Sequence, residues 1–531
     1  MLPAPLTNIL WRYRRRWDSR KVRAENSGAG TTHRLALAAL ISFAAAWYAA
    51  GIGSGSPLTS GDDYFYAASA VDIATGASLV HRFDSPALAY LYVPISDRPG
   101  LYASKYPLGV SVLLAPFYLV FGYHGLFALG PIAGALGVLA TYLLASQMTA
   151  HRGVSLFAAA MLTGLPVVVS SASGIGSDLP SLTVVTSALA AYVWHLKSER
   201  PAGLWLFSFL AGVSFLVRAP NALVFGVIAL HQGWRAYTRR SCRWWAWIPA
   251  CIVFSSLLAI HFVVSAATFG SVIGGYATET RDQGGLALSW MPDHLRLYVV
   301  MLCAVPPLGL PCMAHAMWSK RNECEGVSLA FAGLTLAYVL LYSAWWSFAF
   351  DYAQAFIAGA RFLLPVMPLL CVACAIACFD VVNRVGVRGA IIAACVAGEM
   401  TVGVLLTYQL RHYKGRMAAH REHIYASTEA NALLVGPGDW KKLLLSRLVI
   451  DGRGAYAAYE DGDSRSGSDE VVRLVVDALD SGRVAYLLLS GVQAKPGEMV
   501  VVRNLQSRYR LTKVAEYTDP YDLTVLRVAK P

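Results

Sequence analysis

Residues 35–53 read LALAALISFAAAWYAAGIG, and the segment TSGDDYFY follows at residues 59–66. The first stretch is an uncharged apolar run long enough to cross a bilayer. The second places two adjacent carboxylates, Asp62 and Asp63, a few residues beyond it. Because an unpaired carboxylate is costly to desolvate, paired negative charge beside a membrane indicates a use for at least one of the two.

The composition of the whole chain is that of a polytopic membrane protein. Of its 531 residues, 56% are hydrophobic and only 14% are charged, and the mean hydropathy is +0.49. A soluble protein of this length is far less apolar. The net charge of +12 comes from Arg and Lys in short segments between apolar runs, as the positive-inside rule predicts, so no nucleic-acid partner is expected. All nine cysteines lie in or near apolar runs, which argues against a disulfide framework.

The number of spans depends on how one run is interpreted. Twelve apolar runs occur, at residues 35–53, 106–122, 125–148, 154–172, 179–196, 202–217, 219–233, 245–269, 294–317, 327–346, 361–380 and 388–409. The second is short and contains Pro116 and Gly122. If it crossed the membrane, the basic segment 235–243 would lie opposite the basic N-terminus. If it lies along the outer interface, the basic segments share the cytoplasmic side. We therefore predict eleven spans and an external C-terminus.

This topology divides the chain into three parts. Residues 1–34 form a cytoplasmic basic N-terminus, residues 35–410 a transmembrane domain, and residues 411–531 an external domain. Within the transmembrane domain, residues 54–124 form a first external loop with interfacial helices. The external domain is predicted to be a small α/β fold, because β-rich runs alternate with a helical pattern. The runs are 432–435, 484–489 and 523–528, and the helix is 469–479, with Ser468 as its cap.

The acidic pair opens an amphipathic helix, in which Tyr64, Ala67, Ala68 and Val71 recur at helical spacing before Gly76 ends it. A carboxylate in the first turn can simply cap a helix and favour its positive dipole end. Capping needs only one carboxylate. We therefore predict a functional role for at least one of the two, with Asp63 preferred over Asp62.

Several segments together resemble GT-C glycosyltransferases, the superfamily that includes protein O-mannosyltransferases and lipid A aminoarabinose transferases. No single motif is specific, and the resemblance rests on their order and shared sidedness over residues 35–380. The matching segments are Gly61-Asp62-Asp63-Tyr64, Lys105-Tyr106-Pro107-Leu108-Gly109, Ser177-Asp178-Leu179-Pro180, Val217-Arg218-Ala219-Pro220, Phe269-Gly270-Ser271 and residues 359–368 around Arg361.

The resemblance implies an inverting enzyme of the bacterial cytoplasmic membrane. It would move a sugar from a polyprenyl-phosphate donor to a hydroxyl of a glycan, lipid or protein on the external face. In that superfamily a first-loop carboxylate acts as the base, a role that matches Asp63 or Asp62, and inversion needs no nucleophile. The lipid phosphate requires cations near the outer surface, for which the candidates are Arg361, Arg218 and Lys105.

Other roles remain open for these residues. Arginine and lysine at span ends often only extend towards the interface. Asp178 is either a helix cap or a second carboxylate of the cavity. Tyr64 and Tyr106, inside the matched motifs, are candidate substrate-binding residues.

No metal site is predicted. His81, Asp84, Asp97 and His124 share the first external loop, but their spacing matches no ligand pattern. Some relatives bind a metal through an acidic residue before the Lys-Pro segment, where Ser104 stands here. A divalent metal is therefore the less favoured alternative.

Two other classes of function compete with this reading. A lipid or sugar transporter or flippase would also carry intramembrane charges, but it often shows inverted repeats and midplane charges. The conspicuous charges here lie at external span ends. A polysaccharide ligase or polymerase would differ mainly in its donor and acceptor.

Overall fold

The computed structural model of the protein describes residues 26–52, 61–83, 93–95, 98–239, 244–272, 274–275, 286–319, 326–345, 359–385, 390–437, 455–459, 465–490, 496–517 and 523–531. Most of the predicted basic N-terminus lies outside these residues, as do Asp84 and Asp97 of the first loop.

The transmembrane part is helical, and each of the twelve predicted apolar runs overlaps a helix. The helices up to the sixth apolar run are α1 (Asn26–Ala50), α2 (Gly61–Thr75), α3 (Gly109–Gly125), α4 (Leu129–Met148), α5 (Arg152–Gly164), α6 (Pro166–Ala172), α7 (Asp178–Ser198) and α8 (Pro201–Val217). They are followed by α9 (Ala222–Arg239), α10 (Trp247–Phe269), α11 (Met291–Ala304), α12 (Gly309–Ser319), α13 (Val327–Ala344), α14 (Met367–Val385) and α15 (Ala390–Ala426). A 3₁₀ segment, Ala360–Val366, leads into α14.

The predicted count of eleven spans stays a prediction. Among the described residues, six helices are long and apolar enough to cross a membrane, or up to eight if each of two bent pairs forms one span. The first pair is α5 with α6, bent by 60°, and the second includes α11 and α12, bent by 76°. Pro166 begins the second half of the first pair, where its missing N–H is tolerated.

Helix α3 fits the interfacial placement expected for residues 106–122. Gly122 interrupts it with a positive φ of 60°. The regular part, residues 109–121, therefore rises only about 20 Å, against about 30 Å for the hydrocarbon core of a bilayer. Its first residue, Gly109, lies against the end of α8, where an added Cβ would stand 2.3 Å from the carbonyl oxygen of Leu216.

The segment predicted to form the first external loop is built on the pairing of α2 with α3. Tyr64, Tyr66 and Ala67 of α2 are buried in one apolar cluster with Val110 and Leu114 of α3. A small antiparallel sheet follows α2 in the chain, formed by the strands β1 (Val80–Arg82), β2 (Val93–Pro94) and β3 (Leu101–Ala103) in the order β1-β3-β2. Strand β3 leads directly to the Lys105-Tyr106 segment.

The C-terminal domain contains a five-stranded sheet, which confirms the predicted small α/β fold. Its elements are β4 (Leu433–Pro437), β5 (Ala455–Tyr459), α16 (Arg465–Asp480), β6 (Ala485–Ser490), α17 (Pro496–Gln506), β7 (Arg510–Tyr517) and β8 (Leu523–Ala529). The strand order is β5-β4-β6-β8-β7. Strand β4 is parallel to β5 and β6, whereas β8 is antiparallel to its neighbours.

Two sequence-based expectations about this domain change. Ser468 lies inside α16, which begins at Arg465, so its predicted position as the cap before the helix is wrong. The predicted domain boundary at residue 411 lies inside α15, which continues to Ala426.

The sheet is covered on both faces. Alternate residues of a strand point to opposite sides, and Leu433 and Val435 of β4 are buried with α16 and α17. Leu434 faces the other way and is buried with Ile424 and Tyr425 at the end of α15. The last turns of α15 are therefore part of the core of the C-terminal domain.

Candidate active site

Asp62 is the centre of a charged cluster that joins segments far apart in the chain. Its Oδ1 accepts a hydrogen bond from the Tyr106 hydroxyl at 2.5 Å. Its Oδ2 lies 3.1 Å from Nη2 of Arg361. The side chains of Asp62 and Arg361 are 33% and 30% exposed. This carboxylate is therefore paired but still open to a substrate.

The second ion pair of the cluster joins Asp178, at the start of α7, to Arg218, just after α8. Nη1 of Arg218 lies 2.5 Å from Oδ1 of Asp178, and both side chains are largely buried. The guanidinium of Arg218 also lies over the Phe362 ring at 5.1 Å, and that of Arg361 approaches the same ring at 5.1 Å. Phe362 thus brings the two arginines to one place through cation–π contacts.

Lys105 completes the charged cluster, which we define as Asp62, Lys105, Tyr106, Asp178, Arg218 and Arg361. Its Nζ lies 5.1 Å from the Tyr106 ring centroid and 5.7 Å from that of Phe65. Among its six members, the cluster holds two carboxylates and three cations. The Nε–H of Arg361 is buried and has no hydrogen-bond partner in the described part of the chain. An anionic ligand would be attracted by the three cations and would satisfy this donor.

The surroundings of Asp62 favour its ionised form. Burial alone would raise the pKa of this carboxyl group. The charge of Arg361, the hydrogen bond from Tyr106 and the charges of Lys105 and Arg218 outweigh burial, so the pKa lies below its ordinary value. In the arrangement described here Asp62 is therefore a carboxylate.

Asp63 points away from the charged cluster. It is only 7% exposed, and its Oδ1 accepts the backbone N–H of Ile175 at 3.2 Å. Tyr64, another candidate, is buried in the apolar cluster between α2 and α3. The six members of the charged cluster are thus brought together, while the other two candidates lie in its supporting structure.

A buried polar network fixes the turn that carries Arg218. The side-chain amide of Asn221 donates to the Ser181 hydroxyl at 2.8 Å and to the Ser214 carbonyl at 2.8 Å. Its Oδ1 accepts the Tyr338 hydroxyl at 2.6 Å. Its backbone N–H donates to the carbonyl of Arg218 itself. One asparagine thus ties α7, α8 and α13 around the Asp178–Arg218 pair.

We expect Asn221→Leu to destabilise the protein and to weaken the ion pair between Asp178 and Arg218. The substitution leaves buried hydroxyls without their amide partner, at a cost of about 1 to 2 kcal/mol in the free energy of unfolding. Thermal unfolding in detergent measures the effect. Ser208→Ala is the matched control, because the Ser208 hydroxyl is buried without a hydrogen-bond partner among the described residues. An Asn221→Leu protein no less stable than this control would contradict the role of the network.

An apolar cavity of about 440 Å³ opens beside the charged cluster. Lys105 and Tyr106 form one side of it, and α3, α8 and α10 form the rest, with residues such as Val112, Leu216 and His261. Two members of the cluster therefore face both the charged groups and an apolar space. Such a place suits a ligand with an anionic head and a hydrocarbon tail.

Sequence reasoning missed several residues around the cluster. The Tyr66 hydroxyl interacts with Ser177, next to Asp178. Phe362 and Asn221 stand in apolar runs, where packing is the default interpretation. The spacing did contain one signal for Tyr66, because this residue lies one helical turn after Asp63, which the sequence had already singled out. Among the described residues, no three His, Cys, Asp or Glu side chains come close enough to hold a metal ion.

Sequence comparison finds no relatives: no protein-family model matches the chain, and no curated protein matches it significantly. Comparison of folds, in contrast, finds solved structures that are similar to this chain. ArnT from Cupriavidus metallidurans, in a crystal structure with undecaprenyl phosphate bound, is 12% identical with a TM-score of 0.62, covering 94% of this chain and 98% of its own. Its apo structure gives 13% identity and a TM-score of 0.61 over the same shares.

An archaeal enzyme has the same architecture. The oligosaccharyltransferase of Archaeoglobus fulgidus in its apo form is 11% identical with a TM-score of 0.52, covering 86% of this chain and 69% of its own. These neighbours are GT-C glycosyltransferases. The protein described here is a multi-pass membrane protein with the GT-C fold, which confirms the fold predicted from the motifs.

Proposed function

We propose that the protein is an inverting membrane glycosyltransferase that moves a sugar from a polyprenyl-phosphate donor to an acceptor hydroxyl on the external face. The observation that carries this proposal is the charged cluster beside the apolar cavity. Both ArnT with undecaprenyl phosphate and the archaeal oligosaccharyltransferase with a dolichol-phosphate bind lipid phosphates on this fold.

The donor phosphate would bind between the cations of the cluster. Arg361 supplies a buried N–H that has no partner among the described residues. Arg218 lies over the Phe362 ring, which Arg361 also contacts, and Lys105 lines the cavity. Arginine suits this task because its planar guanidinium matches phosphate oxygens. The polyprenyl chain would then follow the cavity lined by α3, α8 and α10.

We assign the role of base to Asp62 rather than Asp63, which reverses the order expected from sequence. Only Asp62 of the pair stands in the cluster and is partly exposed. In the reaction, the acceptor oxygen forms a bond to the anomeric carbon from the face opposite the phosphate. The bond from that carbon to the phosphate oxygen breaks, and the lipid phosphate leaves with the electron pair. The acceptor proton passes to the Asp62 carboxylate.

A carboxylate paired with arginine is a weak base, and donor binding would make Asp62 a stronger one. When the phosphate engages Arg361, Asp62 loses its closest cation and gains a nearby negative charge. Both changes favour the protonated form and raise the pKa of Asp62. The base would therefore become stronger when the donor is in place.

The charge of Arg361 should set the pH dependence of sugar transfer. Transfer needs ionised Asp62, so activity falls as pH drops through the pKa of this group. Arg361→Gln removes the main charge that lowers this pKa, so the acid limb of the kcat/KM profile should move to higher pH. Arg82→Gln, which changes an exposed arginine of β1, is the control and should leave the limb in place. An unmoved limb in Arg361→Gln would argue against Asp62 as the titrating base.

The direct test is a transfer assay. Purified full-length protein is incubated with polyprenyl-phosphate sugars and extracted envelope acceptors, and consumption of donor and appearance of product are followed. We expect a released polyprenyl phosphate for each sugar transferred. Movement of an unchanged donor across a vesicle membrane, with no product, would instead identify a transporter or flippase. Growth of a glycan chain in the product would identify a polymerase.

A further inference from the structure

Lys414 carries a buried ammonium group and is not a member of the charged cluster. It lies on α15, beyond the predicted span 388–409, and is only 4% exposed. Its Nζ donates a hydrogen bond to the carbonyl of Ser173. Burial lowers the pKa of Lys414 to about 8, and the negative charge of Asp63 opposes that effect. A cation in such a place is tolerated only because it is paired.

Asp63 and Lys414 both bind the same short turn, Asp63 through its negative charge and Lys414 through its positive charge. This turn, residues 173–175, joins α6 to the segment that leads into α7. The carbonyl of Ser173 accepts from the lysine, and the backbone N–H of Ile175 donates to the aspartate at 3.2 Å. Two backbone groups that helix formation leaves unused are thus satisfied by two opposite charges.

The position of the turn determines the position of Asp178. Only Gly176 and Ser177 separate Ile175 from Asp178, which begins α7 and pairs with Arg218. The adjacent Ser177 interacts with Tyr66, one turn after Asp63 on α2. Asp62 and Asp63 are neighbours on that helix, so one member of the pair reaches the charged cluster while the other holds the turn that brings Asp178 to it.

The helix that carries Lys414 also belongs to the C-terminal domain. Ten residues further on, Ile424 is buried beneath the sheet, and the carbonyl of His423 accepts a hydrogen bond from the Tyr517 hydroxyl of β7 at 3.1 Å. The helix is continuous between Lys414 and Ile424. A displacement of the domain would therefore be transmitted to the turn at residues 173–175.

We propose that Lys414 is a positioning residue for the transfer reaction: with Asp63 it holds the turn at residues 173–175, and through α15 it links Asp178 to the C-terminal domain. The inference rests on the proposed function. It assigns Lys414 no contact with substrate, and it gives the second carboxylate of the pair a role distinct from that of the base.

The kinetic test uses full-length protein in detergent. Lys414→Met should lower kcat about 10- to 100-fold, because a small misplacement of Asp178 disturbs the reacting geometry. The KM for the donor should change by less than about twofold, since the phosphate ligands remain. Lys414→Arg keeps the charge and should therefore retain most of the wild-type kcat. Arg411→Met removes a cation from an exposed position on the same helix and should behave as wild type.

A second readout does not depend on activity. Unfolding temperatures are measured for Lys414→Met, Asp63→Asn and the double variant. Each single change leaves the other charge buried without its opposite charge. The unfolding temperature of the double variant should therefore fall by much less than the sum of the two single losses. Additive losses, or a wild-type kcat in Lys414→Met, would overturn the inference and leave the proposed function standing. A wild-type protein that transfers no sugar would refute the proposed function, and the stability cycle would still decide whether the pair exists.

Discussion

Asp62→Asn is expected to lower kcat for sugar transfer by about 10²- to 10⁴-fold, the contribution of a general base. The amide has nearly the shape of the carboxylate and can still accept the Tyr106 hydroxyl, so the protein should fold. It cannot take the acceptor proton. Single-turnover transfer with saturating donor measures the chemical step without the contribution of product release.

Two other variants on the same helix serve as controls. Asp72→Asn changes a carboxylate that pairs with His81 at 3.0 Å, away from the charged cluster, and should leave kcat unchanged. Asp63→Asn should affect stability together with activity, since it disturbs the turn at residues 173–175. If Asp62→Asn keeps wild-type kcat while Asp63→Asn is well folded and inactive, the base is Asp63 and our assignment is wrong.

Arg361→Ala should weaken the binding of polyprenyl phosphate about 10- to 100-fold, which corresponds to about 1.5 to 3 kcal/mol for a hydrogen bond to a charged group. The guanidinium has a buried Nε–H without a partner among the described residues, and it pairs with Asp62. Arg361→Lys keeps the charge but loses the planar pair of donors, so it should bind less well than wild type and better than alanine.

Binding of undecaprenyl phosphate to the protein in detergent, followed by the shift in unfolding temperature with ligand concentration, measures this effect. Arg82→Ala, which truncates an exposed arginine of the first loop, controls for a general loss of positive charge. Equal affinity in wild type and Arg361→Ala would place the phosphate elsewhere. Equal affinity in wild type and Arg361→Lys would argue against a contact through two guanidinium nitrogens.

The sequence predicted the helices of the membrane part because its signals are local. A run such as residues 35–53 is long and apolar enough to span because of its own composition, whatever surrounds it. Arg218 and Arg361 could be placed near each other because charge at span ends follows sidedness. The same reasoning preferred Asp63 over Asp62 without a physical basis for the ranking, since both are the same residue type in the same stretch of chain.

In the C-terminal domain, too, the sequence predicted some elements and missed others. Strands β4, β6 and β8 were recognisable from apolar residues, because they are the three central strands of the sheet. Strand β7 escaped detection because it lies at an edge and is mostly exposed. The continuation of α15 through residue 411 was hidden by the change to charged residues, which marks the end of the predicted span and not the end of the helix.

The amino-acid sequence alone thus determined the class of the protein, the order of its membrane helices and the set of charged residues worth examining, since hydropathy and charge act over short stretches of chain. Only the tertiary structure decided that Asp62 meets Arg361, 299 positions away, while Asp63 turns to Ile175 and the buried Lys414. The physical reason is that a carboxylate's role depends on which cations and amides surround it in space. Two adjacent residues on one helix point in different directions, and only the folded chain determines what each one meets.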